Sequence, residues 1–190
     1  MIITSIDFET ANYSHASICA AGLAVFEDGN LIESKHWLVR PPKGHGWFRE
    51  DFVECHGIDW FDVRNEPEFP GIAPEFLAGL ARADLVIAHN VSFDMTKLQG
   101  TLEHFELPLP SFDYFCTLEA SRKVWPELPS HGLGALAAHI GHQFKHHNAQ
   151  DDAEAAGRVL YELAQTANAS TIRDLICQHG INVARFGGGG

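Results

Sequence analysis

Apolar residues near the N-terminus are spaced for β-strands. Residues 2–10 open with a run that includes three isoleucines, and this β-branched residue suits a pleated sheet. Residues 18–26 and 31–39 predict two further strands. The stretch Glu27-Asp28-Gly29-Asn30 between them favours a tight turn, because Gly and Asn accept the positive φ that such turns need. The second and third strands are therefore expected to be antiparallel neighbours.

The middle of the chain changes from irregular sequence to an alternation of strands and helices. Prolines and glycines interrupt residues 40–74, which predicts a long loop with short helical pieces, one of them around residues 59–64. A helix is predicted over residues 74–82, with Pro74 in its first turn. Residues 84–88 predict a buried parallel strand, and a helix is expected to reach about residue 105.

The C-terminal half predicts one more strand and several helices. The strand covers residues 112–117, a helix follows to about residue 124, and further helices cover about 132–140, the 15 residues up to 164, and 170–179. Residues 180–186 are expected to be extended and residues 187–190 disordered. We expect residues 1–165 to form one domain, with residues 166–190 as a C-terminal helix and tail that packs on it or trails from it.

Two acids at the end of the first strand break its apolar pattern. Asp7 and Glu9 project from the same face, because side chains alternate along a strand, and their Cα atoms lie about 6–7 Å apart. Either the strand has run into solvent, or a positive group sits between the two carboxylates. These residues alone leave both interpretations open.

The phase of a late helix separates two adjacent aspartates. Steps of three and four residues from Asp152 reach Ala156, Val159 and Leu163, an apolar stripe that should face the core. The same steps from Asp151 reach a mostly solvated face. A buried acid needs an explanation and an exposed one does not, so Asp152 is the functional candidate.

Composition limits the class of protein. At 190 residues the chain fits one domain, no apolar run is long enough to span a membrane, and no secretory signal is visible. The four cysteines form no CxxC pair, which is typical of reduced thiols in a cytoplasmic protein. A net charge of −12 argues against broad attraction to nucleic acid, although acids neutralised by divalent cations can still present a positive surface to phosphate.

Acids from distant segments suggest a metal site. Asp94 follows the predicted strand at residues 84–88, so it joins Asp7, Glu9 and Asp152 as an acid in an otherwise apolar setting. Carboxylates of this kind suit Mg²⁺ or Mn²⁺, and two such ions about 3.5–4 Å apart hydrolyse phosphodiesters. A histidine five residues before Asp152 could act as general base. His147 is the candidate and His146 its competitor.

Three motifs carry a family resemblance. They are Asp7-Phe8-Glu9-Thr10, His89-Asn90-Val91-Ser92-Phe93-Asp94 and His147-Asn148-Ala149-Gln150-Asp151-Asp152. In this order and at these spacings the chain, to about residue 164, resembles the DEDDh family of DnaQ-like 3′–5′ exonucleases, which includes the proofreading subunit of bacterial replicative polymerase. His56-Gly57-Ile58 and Cys116-Thr117-Leu118 match the intervening signatures of that family.

The resemblance implies an α/β, ribonuclease H-like fold, with a five-stranded mixed sheet that has one antiparallel strand and is flanked by helices. It implies two divalent cations, Mg²⁺ or Mn²⁺, held by four acids, and a histidine base. The acids are Asp7, Glu9, Asp94 and Asp152, and the base is His147. The residues expected to contact the substrate are Thr10, His56, His89 and Phe93.

The resemblance implies a metal-dependent 3′–5′ exonuclease that cleaves single-stranded nucleic acid and releases nucleoside 5′-monophosphates. DNA is favoured over RNA as its substrate. The alternatives are an exoribonuclease that acts on short RNA and a non-catalytic module that binds nucleic acid or a polymerase. A free-standing enzyme is favoured over a polymerase-associated one.

Two departures from the family pattern put substrate detail in doubt: Ala11-Asn12 replaces the usual Thr-Gly, and Cys116 replaces a common Asp.

Overall fold

A single mixed sheet organises the protein, whose computed structural model describes residues 1–187. Within these residues the sheet has six strands in the order β3-β2-β1-β4-β5-β6. The strands are β1 (Ile2–Thr10), β2 (Ile18–Glu27), β3 (Asn30–Leu38), β4 (Leu85–Ala88), β5 (Phe112–Cys116) and β6 (Ala184–Phe186). β4 runs parallel to β1 and β5, β2 is antiparallel to β1 and β3, and β6 is antiparallel to β5.

The mixed α/β sheet with flanking helices is confirmed, but five strands and one antiparallel strand are wrong. Residues predicted only as extended form β6, which pairs Phe186 with Phe112 and adds a second antiparallel strand at the sheet edge. The two rings of this pair stack with centroids 4.9 Å apart. An apolar pair of this kind gives a three-residue strand enough contact to hold its place. Of residues 187–190, which are predicted to be disordered, Gly187 is described, and residues 188–190 lie outside the described residues.

Eight helices occur in the described part of the chain. They are α1 (Glu50–His56), α2 (Trp60–Val63), α3 (Phe69–Ala81), α4 (Ser92–His104), α5 (Thr117–Val124), α6 (Leu133–His139), α7 (Ala149–Thr166) and α8 (Ile172–His179). None of these helices combines the length and the apolar character that a membrane crossing requires.

One helix prediction needs correction. α3 begins five residues before Pro74, because Pro70 occupies its first turn, and Pro74 lies inside the helix. α1 and α2 are short helices within the segment predicted as a long loop with short helical pieces. None of the side chains of α1 is buried, so no apolar periodicity marks this helix in the sequence.

The core has two layers, one on each face of the sheet. On one face, β1 and β2 pack against α3 and α4 through side chains such as Phe8, Phe76 and Leu98. On the other face, α7 packs through Val159 and Leu163, together with α5, α6 and α8. β1 is the central strand of this arrangement and has helices on both sides.

Gly22 allows the start of α7 to touch the sheet. A Cβ atom at Gly22 would lie only 1.9 Å from the carbonyl oxygen of Ala149, so a larger residue would push the helix away. Gly22 is also the residue of β2 that pairs with Asp7 of β1. The close approach therefore brings the first turn of α7, with Asp152, next to the acidic end of β1.

Candidate active site

Three carboxylates from two elements meet at the C-terminal end of β1. Asp7 and Glu9 lie on one face of that strand, and Asp152 reaches them from the first turn of α7. One oxygen atom from each of the three carboxylates lies within 4.8 Å of the others. These acids therefore converge as predicted, and the end of β1 is not simply a solvent-exposed strand end.

Asp94 approaches the same strand from the opposite layer. It lies in the first turn of α4, is 1% exposed, and its Oδ1 accepts a hydrogen bond of 3.1 Å from the backbone N–H of Phe8. Phe8 stands between Asp7 and Glu9, so this bond fixes Asp94 beside the acid cluster. Asp94 lies beneath the cleft surface, whereas the other three acids line it.

Asp152 is held by two consecutive histidines. The Nδ1 atom of His146 lies 3.0 Å from Oδ1 of Asp152, and the backbone N–H of His147 donates to Oδ2 at 3.1 Å. The two imidazole rings stack with centroids 3.9 Å apart, and His147 has a positive φ of 65°. Both rings line the cleft, so the choice of base that the sequence left open is between two neighbouring groups.

Burial and mutual repulsion disfavour the charged forms of these acids. Burial is the main cause that raises the pKa of Asp7, and the charges of Asp94, Asp152 and Glu9 add to it. Burial, together with the charge of Asp152, raises the pKa of Glu9 to about 8. Burial also raises the pKa values of Asp94 and Asp152, against the hydrogen bonds that each accepts.

The donor set fits a divalent cation. Within residues 1–187, the one basic side chain within 4.0 Å of any of the four acids is His146, which contacts Asp152 at 3.0 Å. No Lys or Arg of that range therefore balances the cluster, although like charges at this distance need a counter-charge. Carboxylate oxygens around a water-accessible cleft are the ligands that Mg²⁺ and Mn²⁺ prefer.

The four predicted substrate residues surround this cluster. Nε2 of His56 lies 3.1 Å from the carbonyl oxygen of Thr10, and Nδ1 of His89 lies 3.0 Å from Oγ1 of Thr117. Phe93 is 37% exposed at the cleft. Oγ1 of Thr10 is buried and has no hydrogen-bond partner in the described part of the chain. Burial lowers the pKa of His89 to about 4, so its ring is neutral near pH 7.

The cleft also contains residues that the sequence did not indicate. It has a volume of about 470 Å³. The lining residues that no sequence motif included are Asp51, Phe52, Cys55 and Leu133. Three of these belong to α1, a seven-residue helix without a buried side chain, so no apolar periodicity marks them in the sequence. Phe52 lies edge-on to Tyr13, with ring centroids 5.0 Å apart, at the rim of the cleft.

One departure from the family pattern has a structural role. Asn12 is fully buried, and its Nδ2 donates to the carbonyl oxygens of His45 at 2.8 Å and Trp47 at 2.6 Å. The backbone N–H of Arg49 also donates to Ala11 at 2.9 Å. The residues that follow the first acidic motif therefore fasten the loop at residues 45–49 to the end of β1.

The comparisons with known sequences agree on one family. A family model described as "Exonuclease" matches residues 4–160. The PolC-type DNA polymerase III of Streptococcus pneumoniae (strain D39) is 35% identical over 169 residues, which cover 82% of this chain and 11% of that polymerase. The corresponding protein of Streptococcus thermophilus (strain LMD-9) is 29% identical over 179 residues, covering 92% of this chain and 11% of its own length. This chain spans about a tenth of these relatives.

Solved structures share the fold. Exonuclease X in complex with 5′-overhanging duplex DNA has a TM-score of 0.72 at 21% identity, over 91% of this chain and 96% of that one. The nuclease domain of 3′hExo, described as a DEDDh family member bound to rAMP, has a TM-score of 0.71 at 14% identity, over 96% of both chains. The zinc-bound complex of E. coli ExoI with single-stranded DNA has a TM-score of 0.75 at 17% identity, over 94% of this chain and 43% of that one. The predicted ribonuclease H-like fold is confirmed.

Proposed function

This chain belongs to the exonuclease family, and we propose that it hydrolyses the 3′-terminal phosphodiester bond of single-stranded nucleic acid and releases nucleoside 5′-monophosphates. The observation that carries this proposal is the meeting of three carboxylates within 4.8 Å at the end of β1, with Asp94 buried directly behind them. A non-catalytic binding module would gain nothing from four acids that raise one another's pKa values.

The four acids would hold two divalent cations, Mg²⁺ or Mn²⁺. Asp7, Glu9 and Asp152 face the cleft, and Asp94 supports the cluster from α4. Bound cations would neutralise the phosphate, activate a water molecule and stabilise the leaving oxygen. The protein's own contribution is to hold the carboxylates in place through the Phe8 and His147 backbone N–H groups.

We assign His147 as the general base. Its pKa is lowered by burial, so the ring is neutral near pH 7 and can accept the proton of the attacking water. Its neighbour His146 already directs Nδ1 to the carboxylate of Asp152. Within the described residues the ring of His147 makes no comparable hydrogen bond, which leaves it available to the water.

The substrate contacts follow from the cleft walls. Thr10 and His89 both line the cleft beside the acids, and we assign them contacts to the terminal nucleotide. The exposed ring of Phe93 offers a surface for the terminal base. We assign His56 a positioning role, because its ring lies between the carbonyl oxygen of Thr10 and the N–H of Ile58.

DNA is the favoured substrate. The relatives that cover most of this chain are PolC-type DNA polymerases, although only about a tenth of their length aligns with it. The 3′hExo nuclease domain bound to rAMP has the same fold, so an RNA substrate is the second candidate. The presence or absence of the 2′-hydroxyl decides between the two.

Digestion of matched oligonucleotides tests the proposal. A 5′-labelled single-stranded DNA 20-mer should give a ladder of shortening products with Mg²⁺ and none with EDTA, and nucleoside 5′-monophosphates should accumulate. An RNA 20-mer and a duplex DNA of the same sequence serve as comparison arms. Absence of a metal-dependent ladder on every substrate would contradict the proposed activity, and faster digestion of RNA would contradict the preference for DNA.

A further inference from the structure

A second groove lies outside the acidic cleft, between the loop after β3 and helix α2. We call it the tryptophan groove and define it by Arg40, Lys43, Trp47, Trp60, Arg64 and Glu68, which line it together with proline and glycine residues. Its volume is about 470 Å³, the same as that of the candidate active site. A groove of this size accommodates a ligand larger than a single ion or water molecule.

The charge of the tryptophan groove is opposite to that of the whole chain. Three cations and one acid line it, whereas the formal net charge of the protein is −12. Nη2 of Arg40 lies 3.4 Å from Oε1 of Glu68, so these two charges largely offset each other. Lys43 and Arg64 are exposed, and neither forms an ion pair within residues 1–187. Two positive charges are therefore left to attract an anionic ligand.

The two indole rings are exposed and well supported. Trp47 is 55% exposed and Trp60 is 44% exposed, although tryptophan usually buries most of its surface. Trp60 begins α2, whose first turn is held by a capping box with Asp59 and anchored by the fully buried Val63. The carbonyl oxygen of Trp47 accepts the 2.6 Å hydrogen bond from Asn12. Both backbones are thus fixed before any ligand binds, which lowers the entropy cost of binding.

The tryptophan groove is joined to the candidate active site through Asn12. Asn12 stands two residues after Thr10 of the cleft, so their Cα atoms lie at most about 7 Å apart. Through its hydrogen bonds to His45 and Trp47, the same side chain fixes the loop that forms one wall of the groove. A strand whose 3′ end occupies the cleft would therefore have the groove within reach.

We propose that the tryptophan groove binds the single-stranded segment upstream of the 3′-terminal nucleotide, with bases stacked on Trp47 and Trp60 and phosphates beside Lys43 and Arg64. Exposed aromatic rings next to unpaired cations are the combination that binds unpaired bases and their backbone. This inference rests on the proposed function for its direction along the strand. It also supplies a source of affinity that the acidic cleft cannot provide without cations.

Binding in EDTA separates the tryptophan groove from the chemistry of the cleft. Fluorescence anisotropy of 5′-fluorescein-labelled dT12 would be measured with wild-type protein and with Trp60→Ala, Lys43→Glu and Trp60→Phe. We expect Trp60→Ala to raise Kd about 5- to 100-fold, as for loss of a base-stacking ring, and Trp60→Phe to retain most of the affinity. Lys43→Glu should weaken binding. It should also reduce the magnitude of the negative slope of log association constant against log salt concentration by about one.

Ile32→Ala provides the control. Ile32 lies in β3, is 51% exposed, and lines neither the tryptophan groove nor the cleft. We expect Ile32→Ala to bind dT12 as wild type does. Wild-type affinity in both Trp60→Ala and Lys43→Glu, or no binding of dT12 by the wild-type protein, would overturn the proposal and leave the groove to a protein partner. Groove-dependent binding of dT12 without its degradation in Mg²⁺ would support the groove and contradict the proposed nuclease function.

Discussion

Neutralising Glu9 should stabilise the metal-free protein at pH 8. Burial and the nearby charge of Asp152 raise the pKa of Glu9 from 4.5 to about 8. Between those two pH values the folded state keeps a proton that the unfolded state has released, so stability falls as pH rises. The penalty is absent below about pH 4.5 and complete above about pH 8. Glu9→Gln removes it while keeping the size of the side chain.

The size of the effect follows from the same pKa. At 1.36 kcal/mol per pKa unit, the full difference corresponds to a little under 5 kcal/mol once Glu9 is ionised. Because Glu9 is partly exposed and interacts with Asp152, water and relaxation reduce this figure. We expect Glu9→Gln to stabilise the metal-free protein by about 2 kcal/mol at pH 8, which raises Tm by about 4–8 °C for a domain of this size.

Thermal unfolding in EDTA at pH 4.5 and at pH 8 measures this gain. Glu9→Gln should match the wild-type Tm at pH 4.5 and exceed it at pH 8, while losing nuclease activity. Glu54→Gln is the control, since Glu54 is exposed on α1 and its neutralisation should change stability by less than about 0.5 kcal/mol. Equal or lower stability of Glu9→Gln at pH 8 would refute the claim that repulsion among buried acids strains the metal-free site.

Three further outcomes follow from the same geometry. Asp94→Asn and Asp94→Ala should both abolish cleavage. The Tm of Asp94→Asn should be about 2–6 °C higher than that of Asp94→Ala, because Oδ1 of Asn can still accept the hydrogen bond from the Phe8 N–H, which Ala leaves unpaired. His147→Gln should lower kcat 10²- to 10⁴-fold without changing dT12 binding in EDTA, and wild-type kcat would shift the role of base to His146. In the wild type, the raised carboxyl pKa values should make Tm fall between pH 5 and pH 8 when EDTA is present. This fall should be smaller when Mg²⁺ replaces EDTA.

The sequence was sufficient for the features that depend on local periodicity. Helix phase distinguished Asp152 from Asp151, and the structure leaves Asp152 only 4% exposed. Strand alternation placed Asp7 and Glu9 on one face, and the structure brings them together with Asp152. Membership of the exonuclease family, predicted from three motifs in order, is confirmed by the match to residues 4–160.

Features that depend on tertiary contact were missed. β6 has three residues and no strong pattern of its own, and it forms because Phe186 can stack on Phe112. α1 has seven residues and none of its side chains is buried, so it has no apolar stripe that the sequence could reveal. The role of Asn12 could not be seen from its neighbours, because its partners, the carbonyls of His45 and Trp47, lie more than thirty residues away. Long-range contacts of this kind have no periodic signature.

The central claim is that the four acids form a site for a pair of divalent cations. Titration calorimetry with Mn²⁺ tests it without any nucleic-acid substrate. We expect saturable binding of two ions per chain to the wild-type protein, and a loss of that binding in Asp7→Asn, which removes one of the proposed ligands. Wild-type protein without saturable Mn²⁺ binding, or Asp7→Asn with an unchanged isotherm, would contradict the account.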